Sequence, residues 1–512
     1  MISDLGRRVD ALDVPVSELK ALRQALQRSI GRVDEELAAL EKERQRLSVS
    51  MRERQSALSA LRRMPKEVLA HIFFHTLDFP FSQHKSPSRP RQSVSASRHP
   101  LLPLELVSDN WKNVLDTFSY LWSYVNIFVD RMNSIAYARY IRNQLSRSRV
   151  YPLSVSICHS SNMSTSGPPA FPSLMLVTLF PISSRIQTLY LCSDHFADMQ
   201  RFHMPFLDLQ ELVLSSYRTS EVAEHFQFGS LPNLRVFHAT DISNVDALVL
   251  PWHQITHFTN IHGVAGRGLS PPRALSILRM MSCVSVCHLS LDLQFWLTGD
   301  VGQTTLSQLH SLTLSSVYRP CFGLPSVIPS VLDSLILPTL LDLSVTCLLG
   351  GIPLDLPGTF TSIHQLIKRS HSPLTSLHFH NGAIVDDDLI HVLFSTPTLQ
   401  DLRLTMTDGI TDEVLNHLAR RVDTASDSQI PALVPRLHTL HLSGYLNFEE
   451  EVYVQMIESR WTCHPRHLKS VDLLNEYWKA YGGVGEAGIL ALSRLDALQS
   501  EGLNVVTRTW WK

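Results

Sequence analysis

The first 63 residues keep apolar side chains at two positions of a seven-residue repeat. The first series comprises Leu5, Leu12, Leu19, Leu26, Val33, Leu40, Leu47 and Leu61. The second series lies four residues further on and comprises Val9, Val16, Ile30, Leu37, Met51 and Leu58. Alternating steps of four and three keep one apolar seam facing a partner helix. The pattern therefore predicts a helical, coiled-coil stalk over residues 1–63.

Two features modify this stalk. Arg23, Arg44 and Arg54 occupy seam positions, where a buried charge is costly unless it is paired. Pro15 lacks a backbone donor, so we expect the continuous helix to begin just after it, with Ser17 as its N-cap. Two partners for the seam stay open at this point. One is a second coiled-coil strand, which makes the chain self-associate, and the other is the rest of the same chain.

Two short amphipathic helices are predicted after the stalk. Pro65 suits a first helical turn, and Glu67 complements the positive end of the helix dipole. The second helix covers residues 104–115 around Trp111. Between them, residues 78–103 are rich in Ser, Pro, Arg and His, which predicts a mobile insertion. The apolar face of the first helix comprises Val68, Leu69, Ile72 and Phe73.

From about residue 186 the chain repeats the phrase hydrophobic-x-x-Leu-x-Leu. Each copy predicts a short strand whose alternate leucines point into a core. Successive copies lie 21 to 38 residues apart, and leucine-rich repeats are about 20 to 29 residues long. The eleven copies begin at Ile186, Leu209, Leu234, Ile255, Val286, Leu309, Leu340, Leu374, Leu399, Leu437 and Leu468.

The segments between the phrases predict helices, for example 386–394 and 412–421, which would cover one face of a parallel sheet. The predicted fold class is α/β. We divide the chain into a stalk (1–63), a small helical module (64–130) with its insertion, and an irregular leucine-rich-repeat-like solenoid (131–512).

Composition narrows the classes of partner. Hydrophobic residues make up 44% of the chain and charged residues 18%, and the net charge is −2. This balance gives no general attraction to nucleic acid or to a membrane surface, and neither is predicted as a partner. The seven scattered cysteines argue against a disulfide framework. The first ten residues contain no apolar run, so we expect no secretory signal and a location in the cytosol or nucleus.

Several segments were weighed as sites of chemistry. Gly483–Gly488 spells G-x-G-x-x-G but follows no buried strand, so we interpret it as a loop before the final helix. Cys283, Cys287 and His288 lack a second ligand pair at zinc spacing, and Asp386–Asp388 suits a helix start. We predict no cofactor, no metal and no enzymatic activity. Several histidines of the phrases should line an exposed surface: His378, His380, His438 and His441.

The order of these segments resembles the F-box-like proteins of mushroom-forming fungi. In that family a short coiled coil precedes Leu-Pro-x-Glu-hydrophobic-Leu-x-x-Ile-Phe, a second helix with Leu-Val-Cys-x-x-Trp, and a Leu-Trp-Ser. Met64, Ser108, Asp109 and Asn110 depart from the pattern. The matching residues here are Pro65, Glu67, Leu69, Ile72, Phe73, Leu106, Val107, Trp111, Lys112, Leu121, Trp122 and Ser123.

The resemblance implies that the helical module binds a Skp-type adaptor, which links it to a cullin ubiquitin ligase. The solenoid would then bind a target protein, whose identity the sequence does not give. Two alternatives stay open: the module is only a cap on the solenoid, or the chain is a repeat scaffold without a ligase role. The implied adaptor-binding residues are Pro65, Val68, Leu69, Ile72, Phe73, Leu106, Val107, Trp111, Leu121 and Trp122.

Overall fold

The described residues form two units, one ending at Leu121 and the other beginning at Trp122. In the described ranges, no helix is both long enough and apolar enough to cross a bilayer. The computed structural model describes residues 2–57, 64–77, 99–129, 132, 134–159, 177–193, 204–220, 228–262, 268–292, 302–317, 327–348, 358–419, 433–475 and 486–507.

The first unit is helical. It comprises α1 (Ile2–Ala57), α2 (Lys66–His75), α3 (Leu102–Glu105) and α4 (Asp109–Thr117), and α2 packs against α4. A short 3-10 helix follows at Ser119–Trp122. Of the predicted insertion, residues 78–98 lie outside the described residues, and α3 begins within the remainder.

Helix α1 runs without a break through Pro15, so the prediction that the helix begins after this residue is wrong. The Ser17 hydroxyl does not cap a helix start; it donates to the Val14 carbonyl at 2.8 Å. Residues 10–20 are all exposed. Water can therefore bind the Ala11 carbonyl that the proline leaves without a donor. The last predicted stalk residues, 58–63, lie outside the described part of the chain.

The second unit contains a parallel sheet in which each strand pairs with the next along the chain. Within the described residues this sheet has 14 strands, and two further short strands, β8 and β10, pair only with each other. The strands are β1 (Tyr124–Phe128), β2 (Leu153–Cys158), β3 (Ile186–Cys192), β4 (Glu211–Ser220), β5 (Val236–Ile242), β6 (His257–Ile261), β7 (Val286–Asp292), β8 (Thr304–Thr305), β9 (Ser311–Val317), β10 (Leu335–Ile336), β11 (Asp342–Leu348), β12 (Ser376–His380), β13 (Asp401–Thr411), β14 (Thr439–Asn447), β15 (Ser470–Asn475) and β16 (Asn504–Thr507).

Each of the eleven predicted phrases coincides with a strand, from β3 to β15. The strand residues of the phrases align across the sheet in two buried columns, because the parallel register places equivalent residues side by side. The first column is Leu189, Leu212, Phe237, Phe258, Cys287, Leu312, Leu343, Leu377, Leu402, Leu440 and Val471. The second column is Leu191, Leu214, Ala239, Asn260, Leu289, Leu314, Val345, Phe379, Leu404, Leu442 and Leu473.

Helices cover the buried face of the sheet. Those from α6 onward each pack beside the next one along the chain. In α9 and α10 the apolar positions predicted from the sequence are buried. The helices are α5 (Ile135–Arg147), α6 (Pro271–Met280), α7 (Val327–Asp333), α8 (Thr359–Ser370), α9 (Asp386–Phe394), α10 (Asp412–Leu418), α11 (Glu450–Thr462) and α12 (Glu486–Ser500).

The prediction of an α/β fold with parallel strands joined by helices is confirmed, and the second unit is solenoid-like. Its first strand, β1, begins at Tyr124, inside the range 64–130 assigned to the helical module. The strand β16, which carries no predicted phrase, extends the sheet beyond the last repeat.

The phrase predicted to begin at Val286 is wrong by two residues. Cys287, not Leu289, aligns with Leu312 of the next strand. The true phrase therefore starts at the buried Val284. The faces were predicted correctly, because a shift of two residues leaves every side chain on the same side of a strand.

Arginine side chains tie successive repeats together. Arg185 donates to the Tyr151 carbonyl at 2.8 Å, and Arg369 donates to the Leu332 and Leu335 carbonyls at 2.9 Å. Arg460 of α11 is buried and donates to three carbonyls of the preceding repeat. Its acceptors are Leu418 at 2.7 Å, Leu433 at 2.7 Å and Val434 at 3.2 Å.

Candidate functional site

The core of the helical module joins α2 to α4. Leu69, Ala70 and Phe73 are buried on α2, and Val114 and Leu115 on α4. The rings of Phe73 and Trp111 meet with their centroids 4.9 Å apart, a normal distance for an aromatic pair. These side chains fix the two helices against each other, which makes the module a defined surface.

The same helices expose apolar side chains. Val68 is 46% exposed, Ile72 41%, Val107 56% and Leu106 89%. Val68 and Ile72 are one turn apart on α2, so they share one side of that helix. Leu106 and Val107 lie in the turn before α4. We call these four residues the apolar surface of the module.

The structure divides the ten residues implied in adaptor binding into two groups. The exposed group comprises Pro65 and the four residues of the apolar surface. In the other group, Leu69, Phe73 and Leu121 are buried and Trp111 is half-buried. Trp122 is buried in the second unit, where the Arg147 guanidinium lies 4.4 Å from its ring centroid. Five of the ten residues are thus available to a partner, and the others support the fold.

Ser108 stands where the fungal pattern has cysteine, and it caps α4. Its hydroxyl accepts a hydrogen bond from the Trp111 backbone N–H at 3.3 Å. Asp109 in the first turn complements the helix dipole. This departure from the pattern therefore strengthens the start of the helix that carries Trp111.

Replacing Ser108 with alanine should destabilise α4 by about 1 kcal/mol, because the capped N–H loses its acceptor. Amide hydrogen exchange in α4 should accelerate about fivefold under native conditions. Ser108→Asp is the matched control, since it restores an acceptor and should keep the parent rate. Equal exchange rates in the alanine variant and the parent would contradict the capping role.

The open face of the sheet carries ionisable side chains on β12 to β15. His441 Nδ1 lies 2.9 Å from Asp472 Oδ2, and His378 Nε2 lies 3.5 Å from Asp401 Oδ2. Arg403 donates to Asp401 at 2.9 Å. Because β12 to β15 are neighbours, the side chains lie on four adjacent strands. We call these five residues the histidine–carboxylate face.

Hydrogen bonds and ion pairs connect the side chains of this face. Burial alone would raise the pKa of Asp401, but hydrogen bonds from His378 and Arg403 outweigh it and hold the pKa below its usual value. His380 points to the same side of β12, and burial lowers its pKa. His438, predicted to join this surface, precedes β14 and lies beside His467 instead.

The cysteine, histidine and aspartate segments considered in the sequence lie in packed or hydrogen-bonded positions. Residues 483–485 of the glycine segment lie outside the described part of the chain. Burial raises the pKa of the Cys287 thiol, and it lowers the pKa of His288, on the opposite face of β7, to about 4. Asp386 binds the Thr411 hydroxyl and N–H, and Asp388 accepts from Thr361 at 3.3 Å. No group of three or more metal-ligating side chains converges in the described part of the chain.

Sequence reasoning missed one pair of thiols. Cys158 and Cys192 align directly across β2 and β3, although 34 positions separate them in the sequence. The Cys192 thiol and then the Ser156 hydroxyl lower the pKa of Cys158 against the opposing effect of burial. The signal was present, because each cysteine directly follows the last apolar residue of its strand, Ile157 or Leu191.

No protein-family model matches this sequence, and no curated protein matches it.

Proposed function

We propose that this chain is a substrate-recognition subunit of a Skp–cullin–F-box ubiquitin ligase. The module of α2 and α4 binds the Skp-type adaptor, and the open face of the sheet binds the target protein. The assembly acts in the cytosol or nucleus. The chain performs no bond chemistry itself; it holds lysines of the target near a ubiquitin-loaded enzyme, which raises their effective concentration.

The observation that supports this proposal most is the apolar surface of the module. A folded two-helix module has enough apolar side chains to fill its core, yet Val68, Ile72, Leu106 and Val107 stay in water. Several exposed apolar side chains on a small folded module are typical of a protein-binding site. Two of these positions, Val68 and Ile72, lie on the helix whose Pro-x-Glu-hydrophobic-Leu-x-x-Ile-Phe sequence resembles the F-box.

The histidine–carboxylate face supports the second half of the proposal. It offers donors and acceptors held in place by short contacts, such as His441 to Asp472 and Arg403 to Asp401. Fixed polar groups on a rigid sheet give specificity towards a complementary protein surface.

The test is adaptor binding by the full chain, measured by calorimetry with the Skp-type adaptor of the source organism. The double variant Val68→Glu, Ile72→Glu should bind about 100-fold more weakly, because it places two charges in an apolar interface. The matched control is Val385→Glu, Leu490→Glu, which changes two exposed apolar residues of the second unit. This control should bind like the parent.

Leu69 is a poor choice for this test, since it is buried and a charge there would disrupt the module itself. A parent chain that does not bind the adaptor, or a double variant that binds as tightly as the parent, would overturn the ligase assignment.

The second candidate is a repeat scaffold with no ligase role. It is favoured by α1, which offers an apolar seam that is independent of the helical module. In that case adaptor binding is absent, and capture of partners depends on α1.

A further inference from the structure

The apolar seam side chains of helix α1 that the structure describes all lie in water. The described seam side chains are each 45% to 70% exposed, although they are leucines, valines, isoleucine and methionine. They are Leu5, Leu12, Val16, Leu19, Leu26, Ile30, Val33, Leu37, Leu40, Leu47 and Met51. Among the described residues of the first unit, no other helix covers this seam.

The two series of the seam have different side-chain shapes. The spacing assigns the series of Val16, Ile30 and Leu37 to heptad position a, and the series of Leu12 and Leu19 to position d. β-Branched valine or isoleucine at a, as at Val16 and Ile30, with leucine at most d positions favours two parallel strands. Val9 adds another β-branched residue to the a-position series.

The surface of α1 forms a shallow groove along the apolar seam, where side chains of a partner helix could insert. Its six lining residues are Leu40, Glu43, Arg44, Leu47, Ser48 and Met51. They are two consecutive sets at spacing i, i+3, i+4 and i+7, which is the four-residue hole of a coiled coil. One hole starts at Leu40 and the other at Arg44.

The charges in this groove fit a parallel partner. In a parallel, in-register pair, the a-position side chain of the second copy enters the hole that starts at Leu40. That side chain is Arg44 of the second copy, and the hole contains Glu43. In an antiparallel pair the knob at this hole would come from a d position of the second copy. The described d-position side chains are leucines and one valine, so the knob would bring no cation to Glu43.

Arg23 and Arg44 also limit the number of strands. Both are a-position residues, so each faces its own counterpart in a parallel pair. Two strands leave room for the apolar stems to pack while the guanidinium groups reach water. A third strand would close that route, so the arginines favour a dimer.

We propose that α1 forms a parallel, in-register, two-stranded coiled coil with a second copy of this chain. Eleven exposed seam side chains, each burying on the order of 100 Å², exceed the roughly 800 Å² per partner of a standard stable interface. The proposal rests on α1 alone and does not depend on adaptor binding.

The test compares two valines of the same helix in the full-length chain. Val33 lies in the seam, and Val49 lies at heptad position f, away from it; they are 61% and 49% exposed. Val33→Asp should weaken dimerisation at least about 100-fold in sedimentation equilibrium, because an unpaired charge enters the interface. Val49→Asp carries the same helix-propensity cost and should stay dimeric.

Orientation is tested by Leu12→Cys under mild oxidation, with the parent chain as the control for its native cysteines. A parallel pair brings the two introduced thiols together, so a covalent dimer should form that the parent lacks. An antiparallel pair places them at opposite ends, and no such dimer forms. A monomeric parent, equal effects of the two valine substitutions, or no crosslink at residue 12 would each overturn the proposal.

Discussion

Replacing Arg460 with methionine should lower the free energy of unfolding of the C-terminal repeats by about 3–5 kcal/mol. The guanidinium is buried and donates to the Leu418, Leu433 and Val434 carbonyls. Methionine keeps most of the volume of the stem but no donor, so the Leu418 and Leu433 carbonyls lose the guanidinium. The Val434 carbonyl keeps the Leu437 N–H at 3.2 Å. Bonds from a charged donor are stronger than neutral ones, which places the expected loss at the high end for a single substitution.

Hydrogen exchange in β14, β15 and α11 measures this loss of stability locally. A global unfolding curve would combine the unfolding of both units. Arg403→Met is the matched control, because the Arg403 side chain is exposed on the open face, where it forms an ion pair with Asp401. The loss of this exposed ion pair should cost less than about 1 kcal/mol. Arg460→Lys should recover part of the stability with its single ammonium group. Equal exchange in the Arg460 and Arg403 variants would contradict the structural role of the buried arginine.

Acid should destabilise the middle of the sheet in a window between pH 6.5 and pH 4. His262 is buried and shares a hydrogen bond of 3.0 Å with Asn260. Burial lowers its pKa from 6.5 to about 4. In that window the unfolded chain binds the proton and the folded chain does not, so stability falls as the pH falls. The full shift corresponds to about 3 kcal/mol, and above pH 6.5 this histidine contributes no pH dependence.

His262→Gln should remove about half of this dependence, because glutamine keeps a donor for Asn260 but does not titrate in the window. The other half remains because burial also lowers the pKa of His288 in β7 to about 4. The measurement is hydrogen exchange of β5, β6 and β7 at several pH values, after correction for the intrinsic pH dependence of exchange. His253→Gln, at an exposed position, is the control and should leave the slope of the parent. An unchanged slope in the His262 variant would show that other groups cause the acid response.

The repeat architecture could be predicted because its signal is redundant. Each phrase must bury two side chains, such as Leu402 and Leu404, on one face of its strand. The phrase on the neighbouring strand must bury two side chains on the same face. The weak copy at Ile255 also has a physical reason. Asn260 occupies the second leucine position there and bonds with His262 and the Ile242 carbonyl.

The offset of β7 could not be predicted, because Cys287, Leu289 and Leu291 are all buried on one face and the apolar pattern fits two registers. Only pairing with β6 and β9 selects one of them. Similarly, the continuation of α1 through Pro15 depends on its solvent exposure, which no local pattern reports.

The candidate surfaces were predictable to different degrees. The pattern identified the apolar face of α2 but not its division, in which Leu69 and Phe73 fill the core while Val68 and Ile72 face water. That division depends on where α4 packs. Histidine–carboxylate pairs such as His441 with Asp472 depend on strand register, and 31 residues separate these two in the sequence.

The sequential order of the strands has a consequence for how this protein can change during evolution. Since each strand of the large sheet pairs with its immediate neighbours along the chain, duplication or deletion of one strand–helix unit disturbs only the two junctions beside it. The buried columns simply gain or lose one member. The open face of the sheet can therefore lengthen or shorten by whole units without a new fold.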